Sequence, residues 1–265
     1  MIKDRHVTHR KYGKPPLEII VVHGGPGAPG GMAPVAWELG KRFGVLEPFQ
    51  GADSIHGQIE ELKFLLHNHC AEKVILIGHS WGAWLAWMYA AKYPDTVKQL
   101  ILIGAGPFEK NYASDIMQTR LHRLNHADRT KTMDLLDMLQ RKGCPDRKKL
   151  FQRFGALMSR ADTFAPISEE NHVLEFQPDI FEAVWPEAKA LRGSGTLLEI
   201  GQTISCPVVA FHGVYDPHPI EGVEKPLPKI LNDFRMIKLE KCGHYPWNEK
   251  FAREKFYSLL IGEIS

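Results

Sequence analysis

The chain has 265 residues, which at roughly 150 residues per domain fits one large α/β domain with a sizeable core. Apolar residues make up 44% and charged residues 24%, excluding a disordered chain, and no apolar run approaches the roughly 18 residues that span a bilayer. Lysine and arginine number 33 against 31 acidic residues, which leaves no field that would select nucleic acid.

The N-terminal MIKDRHVTHRKYGK is basic and lacks the apolar stretch of a secretory signal, so the expected location is the cytoplasm. Short, nearly continuous β-branched runs then read as buried strands: Leu17–His23, Phe43–Pro48, Lys73–Gly78, Gln99–Gly104, Pro207–Gly213 and Phe234–Leu239. Ile55, Ile59, Leu62 and Leu66 recur at helical spacing, Trp81–Tyr93 reads as a helix buried against a sheet, and Trp247–Ile261 carries a further helical pattern through Phe251, Phe256, Leu259 and Leu260. Strands alternating with helices imply a mainly parallel central sheet flanked by helices.

That alternation stops between Pro107 and Gln202. About a hundred residues without a strand are too many for structureless chain, so 107–202 is expected to be a helical cap inserted in a core domain made of 1–106 and 203–265. Met133, Leu136, Leu139 and Gln140 mark one of its helices, and Gly193-Ser194-Gly195 reads as a flexible exit. Its charge is lopsided, with twelve basic and five acidic residues in 110–160 and two basic and eight acidic in 161–202. Cys70, Cys144, Cys206 and Cys242 are widely separated with no C-x-x-C, so free thiols are expected rather than a zinc or disulfide framework.

Gly78-His79-Ser80-Trp81-Gly82 follows a strand and opens a helix. G-x-S-x-G in that context sets a serine in a sharp turn at a helix N-terminus, so Ser80 is the candidate nucleophile. A serine hydroxyl needs a base, and the base an orienting acid. Of thirteen histidines, His244 in Lys241-Cys242-Gly243-His244 follows the last strand, whereas His212 and His218 lie too close to the acid's own strand. Asp216 ends the strand PVVAFHG and is the candidate acid; Asp95 reads as a turn residue. For a developing oxyanion the amide of Trp81 is one donor, and the loop His23-Gly24-Gly25-Pro26-Gly27 after the first strand supplies another from Gly25, with Gly24 second. His23 is expected to support that loop. It is no phosphate loop, since neither glycine-rich phosphate pattern is present.

These residues together, HGGPG at 23–27, GHSWGA at 78–83, an Asp after the penultimate strand and a Gly-His after the last, resemble the α/β-hydrolase fold over nearly the whole chain except the insertion. HGGPG with Ser-Trp-Gly is most similar to the proline iminopeptidase-like group, which removes N-terminal residues from short peptides or hydrolyses small esters and amides. The resemblance implies a serine hydrolase working through an acyl-enzyme on a small-molecule or short-peptide substrate, without metal or organic cofactor; the charge balance and composition argue against nucleic acid and membrane as partners. Iminopeptidases hold the substrate amine with carboxylates, yet here Asp216 is followed by Pro217-His218-Pro219. Glu169, Glu170, Glu175, Glu182 and Glu187 of the cap are the alternative amine partners, although a charge run is usually a solvated face. The aromatic residues Phe151, Phe154, Phe164, Phe176, Phe181 and Trp185 divide between a pocket lining, for which Trp185 is the leading candidate, and the cap's own core. The alternatives are a haloperoxidase-like or C–C bond hydrolase on the same triad, and a triad-retaining ligand receptor.

Overall fold

The computed structural model describes residues 8–141, 146–168 and 173–265. Its elements run β1 (His9–Tyr12), β2 (Leu17–Val22), α1 (Ala33–Leu39), β3 (Gly44–Pro48), α2 (Ile55–His69), β4 (Val74–His79), α3 (Trp81–Lys92) and β5 (Val97–Ile103). Five helices follow before the next strand: α4 (Ile116–Arg123), α5 (His126–Gln140), α6 (Arg147–Asp162), α7 (Pro178–Ser194) and α8 (Thr196–Glu199). The chain closes with β6 (Val208–Gly213), α9 (Glu221–Glu224), β7 (Phe234–Leu239) and α10 (Arg253–Ile264).

The seven strands lie in the order β1-β3-β2-β4-β5-β6-β7. All pairings are parallel except that of β1 with β3. β2 hands the chain through α1 to β3 on one side, and β4 hands it through α3 to β5 on the other. The loops after β2 and β4 therefore diverge above neighbouring strands, and such a reversal opens a crevice at the carboxyl edge of a parallel sheet.

Alternate side chains of the central strands face opposite sides. Ile20, Leu76, Leu100 and Val208 join the core beneath α2 and α3, and Ile19, Ile75, Ile101 and Val209 join the core beneath α1 and α10. Both faces being covered explains why these strands are apolar throughout. α3 is buried along nearly its whole length, and its Trp87 Nε1 donates to the Leu197 carbonyl at 2.8 Å, anchoring α8. The segment between β5 and β6 buries its apolar residues in two places. Leu124, Leu135, Leu150, Leu157 and Met158 form a separate small core between α4, α5 and α6, whereas Val184, Ala188 and Leu197 of α7 and α8 join the core above α3.

Several sequence expectations are corrected. Strand β1, His9–Tyr12, escapes the hydrophobic pattern because it is a charged, half-exposed edge strand. α5 forms, but its buried residues are Asp128, Thr132 and Leu135, while Met133 is exposed. Asp128 tolerates that position because Arg160 of α6 donates to it at 2.6 Å. Gly193 and Ser194 are the last turn of α7, and Gly195, at φ 87°, closes that helix in the left-handed conformation rather than forming a flexible exit. The last helix begins at Arg253, after a 3₁₀ turn at Pro246–Asn248, which leaves Phe251 outside it and exposed. Cys70, Cys206 and Cys242 are free thiols, and Cys144 lies outside the described residues.

Candidate active site

Ser80 sits between the end of β4 and the first residue of α3 at φ 53° and ψ −115°. A non-glycine residue pays for positive φ in steric strain, and the neighbours hold it there. The Ser80 amide donates to the Ile103 carbonyl at 3.0 Å. A Cβ on Gly78 would stand 2.2 Å from the Gly82 carbonyl oxygen, and one on Gly82 would stand 2.3 Å from that of Val22. Both flanking glycines of the motif are therefore required by close backbone approach. The amide of Trp81 lies in the first turn of α3, where the helix itself offers no acceptor; its indole Nε1 donates to Gln58 at 3.1 Å.

The loop after β2 passes directly over this turn. A Cβ on Gly24 would lie 2.9 Å from His79 Nδ1 and 3.2 Å from Ser80 Cβ, so Gly24 is the point of closest passage. Gly25, at φ 35°, has open space around it, its nearest neighbour being Ala28 Cβ at 4.0 Å. His23 is fully buried, with Nδ1 donating to the Gly24 carbonyl at 3.0 Å. Burial pushes its imidazole down to about 4.

Asp216 lies just beyond β6, and its side chain has no exposure to solvent. Its Oδ2 accepts from His244 Nδ1 at 2.7 Å. Its Oδ1 accepts twice from His218, from the backbone amide at 2.9 Å and from Nδ1 at 2.7 Å. A bare imidazole nitrogen would repel a carboxylate at that distance, so both Nδ1 atoms carry protons. Burial alone would raise the Asp216 carboxyl, but attraction to His244, His218 and His212 and the His218 hydrogen bond hold it well below the usual carboxylate range. Asp216, His218 and His244 offer ligand atoms within 4.8 Å of one another, a spacing a cation could bridge, yet the two short contacts are already filled by protons.

His244 is held from three sides. Its amide donates to the Asp162 carbonyl at 2.8 Å, its carbonyl accepts from His79 Nε2 at 3.0 Å, and a Cβ on Gly104 would stand 3.0 Å from its Nδ1. The buried carboxylate of Glu249 accepts the amides of Gly243, Phe164 and Ala165 at 2.7–2.8 Å, joining the segment after α6 to the His244 loop. Arg120 of α4 forms a two-pronged pair with Asp162 at 2.6 and 2.7 Å. Farther along the same segment, the Gln177 amide donates to the Gly27 carbonyl at 2.8 Å. The helical segment thus touches both the HGGPG loop and the His244 loop.

The other expected site residues have the following partners. Glu175 pairs with Lys148 and Glu182 with Arg147, both in exposed positions, and Glu187 Oε2 accepts the Ile55 amide at 3.1 Å at the start of α2. Trp185 stacks on Trp84 of α3 and on Phe181, each at 5.9 Å. Phe151, Phe176 and Phe181 pack on one another, and Phe154 packs on the small core of α4 to α6. Phe164 contacts Tyr215 and Phe251. Glu169 and Glu170 lie outside the described residues. His218 and Glu249 were not expected at the site. Asp216-Pro217-His218 carries a local signal for His218, since an Asp commonly accepts the amide two residues on; Glu249 has no such signal.

A family model described as the alpha/beta hydrolase fold matches residues 54–249. The chain belongs to that family. Over 56 residues it is 32% identical to a cis-3-alkyl-4-alkyloxetan-2-one decarboxylase of Shewanella oneidensis, a match covering 21% of this chain and 18% of that protein. The curated relatives are thus matched over less than a fifth of their own length. Among solved structures, VinJ aligns with a TM-score of 0.68 at 17% identity over 96% of this chain and 93% of its own. A proline iminopeptidase of Mycobacterium smegmatis aligns with a TM-score of 0.60 at 16% identity over 96% and 93%. At these identities the likeness is one of fold.

Proposed function

We propose that the protein is a serine hydrolase that cleaves a small carboxylic ester or amide through an acyl-enzyme intermediate. The observation that carries this reading is the convergence at one sheet edge of a serine held at φ 53° and a histidine bonded through Nδ1 to a buried carboxylate at 2.7 Å. With Nδ1 protonated, Nε2 of His244 is the nitrogen left to act as base.

In this mechanism Ser80 Oγ attacks the substrate carbonyl as His244 takes its proton, and Asp216 stabilises the resulting imidazolium. The amides of Trp81 and of Gly25 or Gly24 receive the developing oxyanion, helped by the positive end of α3. His244 then returns the proton to the leaving alcohol or amine. A water activated by the same histidine attacks the acyl-Ser80 ester and frees the acid.

The segment 107–202 acts as the cap that shapes substrate choice, since it contacts both loops that border the crevice. Glu175, Glu182 and Glu187 are engaged by Lys148, Arg147 and the start of α2, which favours an acyl substrate over one recognised by a free N-terminal amine through those carboxylates. The test is a panel of p-nitrophenyl esters and aminoacyl-arylamides assayed with wild type and Ser80→Ala. Ester turnover that disappears in the variant is expected. Ester turnover that survives in Ser80→Ala would overturn the reading, and arylamidase activity without esterase activity would return it to the iminopeptidase type.

A further inference from the structure

The Asp216 carboxylate serves two imidazoles, and only one of them belongs to the proposed triad. We propose that His218 is a positioning residue that fixes the rotation and charge distribution of Asp216, and through it the proton affinity of His244. This inference rests on the serine-hydrolase reading.

The geometry separates the two oxygens by role. Oδ1 is taken up by two donors of His218, at 2.9 and 2.7 Å, leaving Oδ2 for His244 at 2.7 Å. A carboxylate held through one oxygen can turn about its Cβ–Cγ bond, whereas one held at Oδ1 by two rigid donors cannot turn without breaking both. Asp216 is buried, so solvent does not readily supply replacement donors. His218 is itself fixed, because His212 Nε2 donates to its carbonyl at 2.9 Å. Its ring also lies 4.6 Å from that of His244 at 36°.

The protonation state suits the role. Burial drives the His218 imidazole down to about 4, despite the opposing pull of Asp216. At neutral pH it is therefore an uncharged donor. It withdraws electron density from the carboxylate without placing a second cation beside the imidazolium that His244 must become. Removing that donor leaves more negative charge on Oδ2 and stabilises the charged form of His244.

The other groups around His244 are occupied elsewhere. His79 donates from Nε2 to the His244 carbonyl, with its ring 4.6 Å away, and Tyr245 packs edge-on at 5.0 Å. Arg120 is paired with Asp162, whose carbonyl takes the His244 amide, and Glu249 takes the Gly243 amide. His212 Nε2 is 3.8 Å from Oδ2, beyond hydrogen-bond reach.

The experiment is a pH titration of the His244 imidazole by NMR in protein labelled with ¹⁵N at histidine, for wild type, His218→Ala and His218→Asn, with kcat and KM for a p-nitrophenyl ester in parallel. In His218→Ala the His244 titration should move to higher pH, as expected for a lost donor to its carboxylate. kcat should fall roughly tenfold with KM little changed, and the acid limb of kcat/KM should move up with the titration. His218→Asn, which keeps a side-chain N–H, should restore both. A His244 titration unchanged in His218→Ala overturns the proposal, even if thermal stability falls. If His218→Ala does not fold, the wild-type spectrum decides: a proton on His218 Nδ1 is required, and the Nε2–H tautomer contradicts it. Because the titration needs no turnover, a wild type inactive on every ester sinks the hydrolase reading alone.

Discussion

His79 Nε2 donates to the backbone carbonyl of His244 at 3.0 Å, so the residue immediately before Ser80 holds the loop that carries the histidine. His79 is buried, and burial together with the nearby His244 keeps its imidazole well below its ordinary value, which leaves it a neutral donor at pH 7. The variable position of G-x-S-x-G is thus part of the geometry that joins the ends of β4 and β7. In His79→Ala, ester turnover should fall on the order of tenfold, the effect of about 1.4 kcal/mol lost from positioning. A wild-type kcat in this variant would show that the contact does not align His244.

Gly104, at φ 52°, ends β5 between the two halves of the site. An added methyl group would stand 3.0 Å from His244 Nδ1 and 3.3 Å from Asp216 Oδ2, in a backbone conformation that costs an L-residue about 1 kcal/mol or more. Gly104→Ala is expected to fold with reduced stability and to lose at least an order of magnitude in kcat. Steady-state kinetics beside a thermal melt separates the two effects, and full activity would mean that the His244–Asp216 pair tolerates displacement.

Much of this arrangement was legible because it is local. The central strands announced themselves as β-branched runs buried on both faces, and Ser80 stood in a strand–turn–helix context whose flanking glycines answer to contacts of 2.2 and 2.3 Å. What escaped depends on partners far along the chain. On α5, the shortest contact to the buried Asp128 comes from Arg160, 32 residues away, alongside the local Asn125 and Lys131, and the charges that engage Glu175 and Glu182 lie 27 and 35 residues off. β1 lacks any hydrophobic signature because an edge strand needs none. The sequence around His218 shows only that it lies too close to the acid's strand to be the base; its share in the Asp216 carboxylate depends on the turn geometry that follows β6.

Stability should fall on mild acidification. His23 and His218 are each pushed down to about 4 by burial, below the roughly 6.5 of an unfolded imidazole. Below pH 6.5 the unfolded chain therefore binds protons that the native state refuses, so native stability is complete above that pH and declines toward pH 4. At pH 5 the loss is about 2 kcal/mol for each such group. Urea midpoints at pH 7.5 and 5.0 check this, the expected result being a lower midpoint at pH 5.0, reduced in part by replacing His23 with Gln. Equal midpoints would contradict the buried neutral state.

Glu249 is fully buried and accepts three backbone amides, from Gly243, Phe164 and Ala165. Glu249→Gln replaces one acceptor oxygen by a donor facing a backbone N–H, at a cost of about 2–4 kcal/mol. Chemical denaturation should register that loss. Hydrogen exchange should show the amides of Phe164 and Ala165 less protected than in wild type, since the clasp between the segment after α6 and the His244 loop is opened. An unchanged exchange pattern would mean that the other contacts suffice.

The most direct measurement is covalent. A fluorophosphonate probe reacts with a serine only where a base activates it and an oxyanion site receives the developing charge. Peptide mapping of the labelled protein should find a single adduct at Ser80, labelling should vanish in Ser80→Ala, and it should slow on the order of 1000-fold or more in His244→Ala. An adduct at any other serine, or labelling of the folded His244→Ala variant at the wild-type rate, would contradict the assignment of Ser80 and His244 as nucleophile and base.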